Sequence, residues 1–278
     1  MGIVKAQAVF SLFLAALVAA GCGGSPGVTS GDSPSAPDLT GNWQIQPSVI
    51  PQTIPPNAVL LLGALGSSGN QVSGTFRFSN LGQPTICGVN QVVTLGGAID
   101  ANNKLTLSSP TLPNGTTIKV SLQISGGQPY SGTGTIEVDG AACAFAPTSA
   151  LGVEIANASG SFTGALTPGA LGTPVQGTPG TATLILTQST SPGSDGQFAA
   201  TGSLSYQFGS CSGNASFTGA ISGVGIIVST ASVSQQTVSF IGLADNAVSK
   251  ITSTAIFAPA PCSTDMTSTA TYSGVLAR

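Results

Sequence analysis

Gln71-Val72-Ser73-Gly74-Thr75-Phe76-Arg77-Phe78 alternates with a period of two, and the same rhythm returns downstream in Phe198-Ala199-Ala200-Thr201-Gly202-Ser203-Leu204-Ser205-Tyr206-Gln207-Phe208. Successive side chains of a β-strand point to opposite faces, so Val72, Gly74, Phe76 and Phe78 line one face while Ser73, Thr75 and Arg77 line the other. Ile118, Val120, Leu122 and Ile124 alternate in the same way with Lys119, Ser121 and Gln123. Turn signals bound these runs, among them Ser68-Gly69-Asn70, Ala101-Asn102-Asn103, Pro113-Asn114-Gly115 and Asp195-Gly196. The spacing predicts an all-β chain with about eight short strands in each half, an up-and-down barrel-like meander or, alternatively, a β-sandwich.

The composition agrees with strands and argues against long solvated helices. Charged residues are 5% of the 278, Gly numbers 38, and hydrophobic residues reach 41%. Helices in water carry Glu, Lys and Arg outside, and six Lys plus Arg cannot furnish several such faces. The net charge of −3 and the scattered positive residues disfavour nucleic acid and electrostatic attachment to an anionic membrane. Histidine is absent, which removes Ser-His-Asp and Cys-His mechanisms and imidazole metal sites. No cofactor is expected.

From Leu39 onward the chain reads as two copies. Leu39-Thr40-Gly41-Asn42-Trp43 recurs as Ala158-Ser159-Gly160-Ser161-Phe162, Gln71 to Phe78 as Ala199 to Tyr206, Gly97-Ala98-Ile99 as Gly219-Ala220-Ile221, and Val120-Ser121-Leu122 as Val238-Ser239-Phe240. Cysteines keep the order, Cys87 with Cys211 and Cys143 with Cys262. The expected domains are residues 39–157 and 158–278, each with its own core, so that a cut around Ile155 to Ser159 frees two folded pieces. One bridge per copy, Cys87–Cys143 and Cys211–Cys262, is the expected pairing, with two others formally open.

The first residues form a targeting segment, 1–21, in which Lys5 precedes the apolar run Ala6 to Ala20. Val18-Ala19-Ala20-Gly21-Cys22 resembles the bacterial lipobox, with Ala19 where the pattern prefers Leu. The resemblance implies cleavage before Cys22, acylation of its thiol with fatty acids such as palmitate, and a lipid-anchored envelope lipoprotein. Gly23, where inner-membrane retention uses Asp, implies the outer membrane. The alternatives are an ordinary secretory signal, leaving Cys22 a spare thiol, or an uncleaved anchor helix. Residues 22–38, rich in Gly, Ser and Pro, read as a flexible tether reaching about 20 Å.

Gly41-Asn42-Trp43, followed by Val59 to Leu62 and Gly74-Thr75-Phe76, resembles the opening strands of the calycins, the lipocalins and avidins. The resemblance implies that Trp43 plugs one end of an eight-stranded barrel and that a small apolar ligand is carried inside. From the residues alone, Trp43 reads rather as a core aromatic of any β-fold.

Candidate chemistry is sparse. Glu137 and Asp139, two residues apart on a strand, share a face and would suit a hydrolase if close to a substrate, or else they are solvated surface. Asp100-Ala101-Asn102-Asn103 has the oxygen-rich look of a calcium loop but reads better as a hairpin turn. The function expected is a non-enzymatic structural or protein-binding module. The alternative is a carrier of a small apolar ligand, and a hydrolase ranks third. The expected partners are the membrane, through the anchor, and an envelope protein or that ligand.

Overall fold

The computed structural model describes residues 36–48, 60–79, 91–113, 115–140, 145–169, 178–229, 237–265 and 267–278. The targeting segment, Cys22, most of the tether, Asn114, Cys87 and Cys143 lie outside the described residues. Eight strands form a first closed antiparallel barrel: β1 Gly41–Pro47, β2 Leu60–Ser68, β3 Gln71–Ser79, β4 Gln91–Ile99, β5 Lys104–Ser108, β6 Thr117–Ser125, β7 Ser131–Asp139 and β8 Phe145–Ile155. A second barrel repeats the order with β9 Gly160–Pro168, β10 Gly180–Pro192, β11 Phe198–Phe208, β12 Cys211–Ser222, β13 Gly225–Ser229, β14 Thr237–Ala244, β15 Lys250–Ala258 and β16 Ala270–Ala277. Each strand pairs with the next and the last with the first, the up-and-down barrel topology expected from the alternation.

Period-two burial runs along the strands as read from the sequence. Ile118, Val120, Leu122 and Ile124 of β6 are all buried, and Phe198, Ala200, Leu204, Tyr206 and Phe208 of β11 likewise. The sequence landmarks of the two copies fall on corresponding strands. Trp43 on β1 and Phe162 on β9 are both fully buried, and Gly97 on β4 and Gly219 on β12 both lie where a side chain would overlap a carbonyl oxygen of the next strand. Closure at this curvature needs such close approaches, which only glycine permits.

The barrels end differently. In the first, the segment before β1 folds over one mouth, where Leu39 is fully buried and its carbonyl accepts a hydrogen bond from Trp43 Nε1 at 2.8 Å. In the second, one end holds an aromatic cluster. Tyr272 stacks on Phe208 with centroids 3.9 Å apart, and Phe257 meets Tyr206 edge-on at 4.9 Å. The Cys211–Cys262 disulfide ties the start of β12 to the β15–β16 connection across 51 residues. Its expected counterpart, Cys87–Cys143, lies outside the described residues.

The other end of the second barrel stands against the side wall of the first. Its β12–β13 turn packs on β1 and β2, and its β10–β11 turn packs on β2 and β3. Ala64, Val153 and Ile155 explain why. They alternate with the inward Leu65, Ala150 and Gly152, so they point out of the first barrel, yet they are buried within the apolar cluster of the second. The outer wall of one barrel thus covers the mouth of the other. This contact is not evident in the sequence, which reads as two halves closing their own cores.

Candidate functional site

The junction is built from a few specific contacts. Asn42 is 2% exposed, and its side-chain amide pairs with the backbone of Gly223 as a strand would: Nδ2 donates to the Gly223 carbonyl at 2.8 Å, and Oδ1 accepts the Gly223 N–H at 2.9 Å. Gly223 has φ of 56° and sits so near Leu62 and Gln44 that a side chain would collide with both. Gly196, with φ of 78°, is pressed against the Thr75 carbonyl in the same manner. Beside it Arg77 reaches Asp195 at 2.9 Å. Partial burial pushes the Asp195 carboxyl up, but the Arg77 hydrogen bond, the Gln197 N–H and the Arg77 charge outweigh it and hold the group below its ordinary value. The linker adds a backbone hydrogen bond from Ala156 N to Asn246 O, 2.9 Å.

Next to these contacts a cleft of about 410 Å³ opens between the barrels. The first barrel contributes Gly41 and Asn42 from β1, Gln128 and Pro129 from the β6–β7 turn, and Glu154 from the end of β8. The second contributes Gln188 and Phe198. Most polar groups there are already engaged. Asn42 is held by Gly223, Gln188 Oε1 accepts the Ala158 N–H at 2.9 Å, and Ser189 Oγ donates to the Ser191 carbonyl at 2.8 Å.

Glu154 is the one charged group of the cleft lining among the described residues. It is 7% exposed, in register with the inward Ala150 and Gly152, and its Oε2 accepts the Tyr130 N–H at 2.8 Å. Its Oε1 lies beside Gly41 without a hydrogen-bond partner among the described residues. Burial raises this carboxyl above its ordinary value, the Tyr130 N–H opposes that, and the Asp38 charge adds to it. The sequence reading did not single out Glu154. The available signal was a lone charge in the apolar run Ala150-Leu151-Gly152-Val153-Glu154-Ile155-Ala156, at an inward position.

The residues considered from the sequence fall elsewhere. Glu137 and Asp139 lie on β7 against Lys119 of β6, whose Nζ is 3.5 Å from Glu137 and 2.5 Å from Asp139 on the outer surface. The Lys119 hydrogen bond holds Asp139 below its ordinary value, as expected of an exposed ion pair rather than a proton-transfer pair. Asp100 forms the β4–β5 hairpin turn, its Oδ1 accepting the N–H groups of Asn102 and Lys104. Among the described residues, no three His, Cys, Asp or Glu side chains gather as a metal site would require. The outer face of the second barrel carries exposed apolar residues, with Ile227 and Ile241 paired across β13 and β14 and Leu243 beside them. Compared with known proteins, the chain matches no family model, no curated protein and no solved structure.

Proposed function

We propose that this protein is a lipid-anchored envelope lipoprotein whose paired barrels act as a non-enzymatic structural or binding module. The observation that carries the reading is the junction itself. Two closed barrels are held in one fixed arrangement by the Asn42–Gly223 pairing, the Arg77–Asp195 bridge and the shared apolar wall. Such a body presents surfaces in a constant relation to each other, as a module needs, and the lipobox-like Val18 to Cys22 and the Gly/Ser/Pro tether supply its attachment. The apolar-ligand carrier draws less support, because inward positions are filled by large buried side chains such as Trp43, Phe76, Phe240 and Phe257.

Fractionation tests the anchor. Cys22→Ser is expected to move the mature protein from the membrane pellet to a soluble fraction or to block its processing. A variant that still pellets at normal mature size refutes lipidation. Affinity capture from detergent-solubilised envelope tests the module, and a stoichiometric partner that survives salt washing supports it.

A further inference from the structure

We propose that the outer wall of the second barrel over β13–β16 is a self-association surface, through which two copies of the chain pair wall to wall about a twofold axis. The inference does not rest on lipid anchoring. It starts from a difference between the two barrels at corresponding positions. Val120-Ser121-Leu122 on β6 corresponds to Val238-Ser239-Phe240 on β14, so Gln123 corresponds to Ile241 and Ser125 to Leu243. Gln123 lies opposite Lys104 of β5, and Ile241 lies opposite Ile227 of β13. The outer pair that is Lys104 with Gln123 in the first barrel is thus Ile227 with Ile241 in the second, exposed by 63% and 46%. Leu243 sits diagonally to Ile227, and Val275 lies two strands on across Thr252, both about half exposed. The wall of β5–β7 carries Lys104, Lys119, Glu137 and Asp139, whereas β13–β16 carry only Lys250, at the start of β15. Large aliphatic side chains gathered on a wall almost free of charge mark a surface that another surface covers. The other exposed aliphatics stand singly, Val92 beside Arg77 and Ile185 between Ser161 and Ser203, and need no such cover.

The geometry selects the occupant. Every strand of the barrel is paired on both sides, so no free edge awaits an extended peptide. A barrel wall is convex, and the cleft between the barrels is lined by none of these residues, so a helix finds no groove here. A lipid surface is engaged by outward aromatic or clustered basic side chains, but Phe240, Phe257 and Tyr272 of this wall are buried inside and Lys250 stands alone. A second wall of the same character fits. Sheets pack face to face about 10 Å apart through interlocking side chains, and Ile, Val and Thr suit that contact. A twofold axis sets this wall on itself with few like charges to oppose, which the lysine-bearing wall of the first barrel could not do. The chain already covers apolar outer-wall residues with a barrel, since Ala64, Val153 and Ile155 are buried that way. Four strands about 4.8 Å apart, each offering about 25 Å of length, give about 500 Å² per copy. The total of about 1,000 Å² lies at the lower bound for a specific pair, so the dimer is weak, with dissociation at about micromolar concentrations.

The test uses the chain after its targeting segment, residues 22–278, with Cys22→Ser so that neither an acyl chain nor a thiol at that position contributes. Sedimentation velocity over a hundredfold concentration range is expected to show a reversible monomer–dimer equilibrium, with no disulfide-linked dimer on a non-reducing gel. Ile227→Lys with Ile241→Gln installs the first barrel's pair at the corresponding positions and should weaken the dimer at least tenfold. Thr135→Lys, on the outer wall of β7, should leave it unchanged. If the double variant fails to fold by circular dichroism, Leu243→Ser carries the test, with at least threefold weakening expected. A chain that stays monomeric up to about a hundred times the micromolar range expected of so small an interface, or that forms open-ended assemblies, overturns the proposal. So does a dimer that the β13–β14 variants leave intact, that Thr135→Lys disrupts, or that a disulfide holds together. A monomer that floats with phosphatidylcholine vesicles assigns the wall to lipid and overturns it equally. Because the tested chain lacks the acylation site, the result is separate from the fractionation of Cys22→Ser, and the two readings can fail independently.

Discussion

Replacing Asn42 with alanine tests whether the two barrels fold as one body. The substitution removes both hydrogen bonds to Gly223, 2.8 and 2.9 Å, and leaves the Gly223 N–H and carbonyl unpaired in a buried junction. A buried polar group stranded in this way costs about 1–3 kcal/mol, so the pair together should weaken the junction by about 2–6 kcal/mol. The molecule carries its own probes. Trp43, the single tryptophan, lies inside the first barrel, whereas Tyr206 and Tyr272 stand in the aromatic cluster of the second. Urea unfolding followed by tryptophan fluorescence and by near-ultraviolet circular dichroism of the tyrosines should give coincident curves for the wild type. In Asn42→Ala the curves should separate by about 1–3 M urea, given a slope of about 2 kcal/mol/M for domains of this size. Asn42→Asp, which keeps the acceptor but sets a charge against the Gly223 carbonyl, should be at least as damaging. Wild-type curves that do not coincide, or an alanine variant less than about 0.5 kcal/mol from wild type with coincident curves, would refute the coupling.

Other consequences follow from single contacts. A protease nick between Ile155 and Ser159 should leave both halves eluting together on gel filtration, because Ala64, Val153 and Ile155 stay buried against the second barrel; separation under native conditions would show the wall contact to be weak. Opening the Cys211–Cys262 bridge, which spans 51 residues, should lower stability by at most about 4 kcal/mol in the chain-entropy picture, with the tyrosine signal of the neighbouring cluster lost first on denaturation. Trp43→Phe leaves the buried Leu39 carbonyl without its donor and a void at the mouth, and about 2–3 kcal/mol of destabilisation by chemical denaturation is expected. The folded state raises the Glu154 pKa, so it holds a proton that the unfolded chain has already released; stability therefore falls as pH rises from the ordinary glutamate value, about 4.3, through the raised folded value. Glu154→Gln should flatten that decline, and an identical pH profile would show that the decline has another source.

Much of the architecture was legible because it is local. The period-two runs at Val72 to Phe76, Ile118 to Ile124 and Phe198 to Phe208 assign strands and inward faces from side-chain geometry, and Asp100 and Gly196 mark turns by their own backbone preferences. The repeated landmarks, from Gly41 with Gly160 to Val120 with Val238, gave two copies, and one disulfide fell within its copy as expected. Closure into barrels rather than a sandwich was left open by the sequence, since alternation specifies an inward face but not what lies opposite it. The pairings of β1 with β8 and β9 with β16 decided it. The junction and the cleft were decided by tertiary structure alone. Asn42 and Gly223 are ordinary polar and turn residues until the fold brings them together across 181 positions. Ala64, Val153 and Ile155 lie on the outer wall of the first barrel, and what buries them is the second barrel's mouth set upon them. Local periodicity reports how each strand faces its own barrel, whereas contact between two closed barrels depends on where their turns and walls meet in space, which no sequence period encodes.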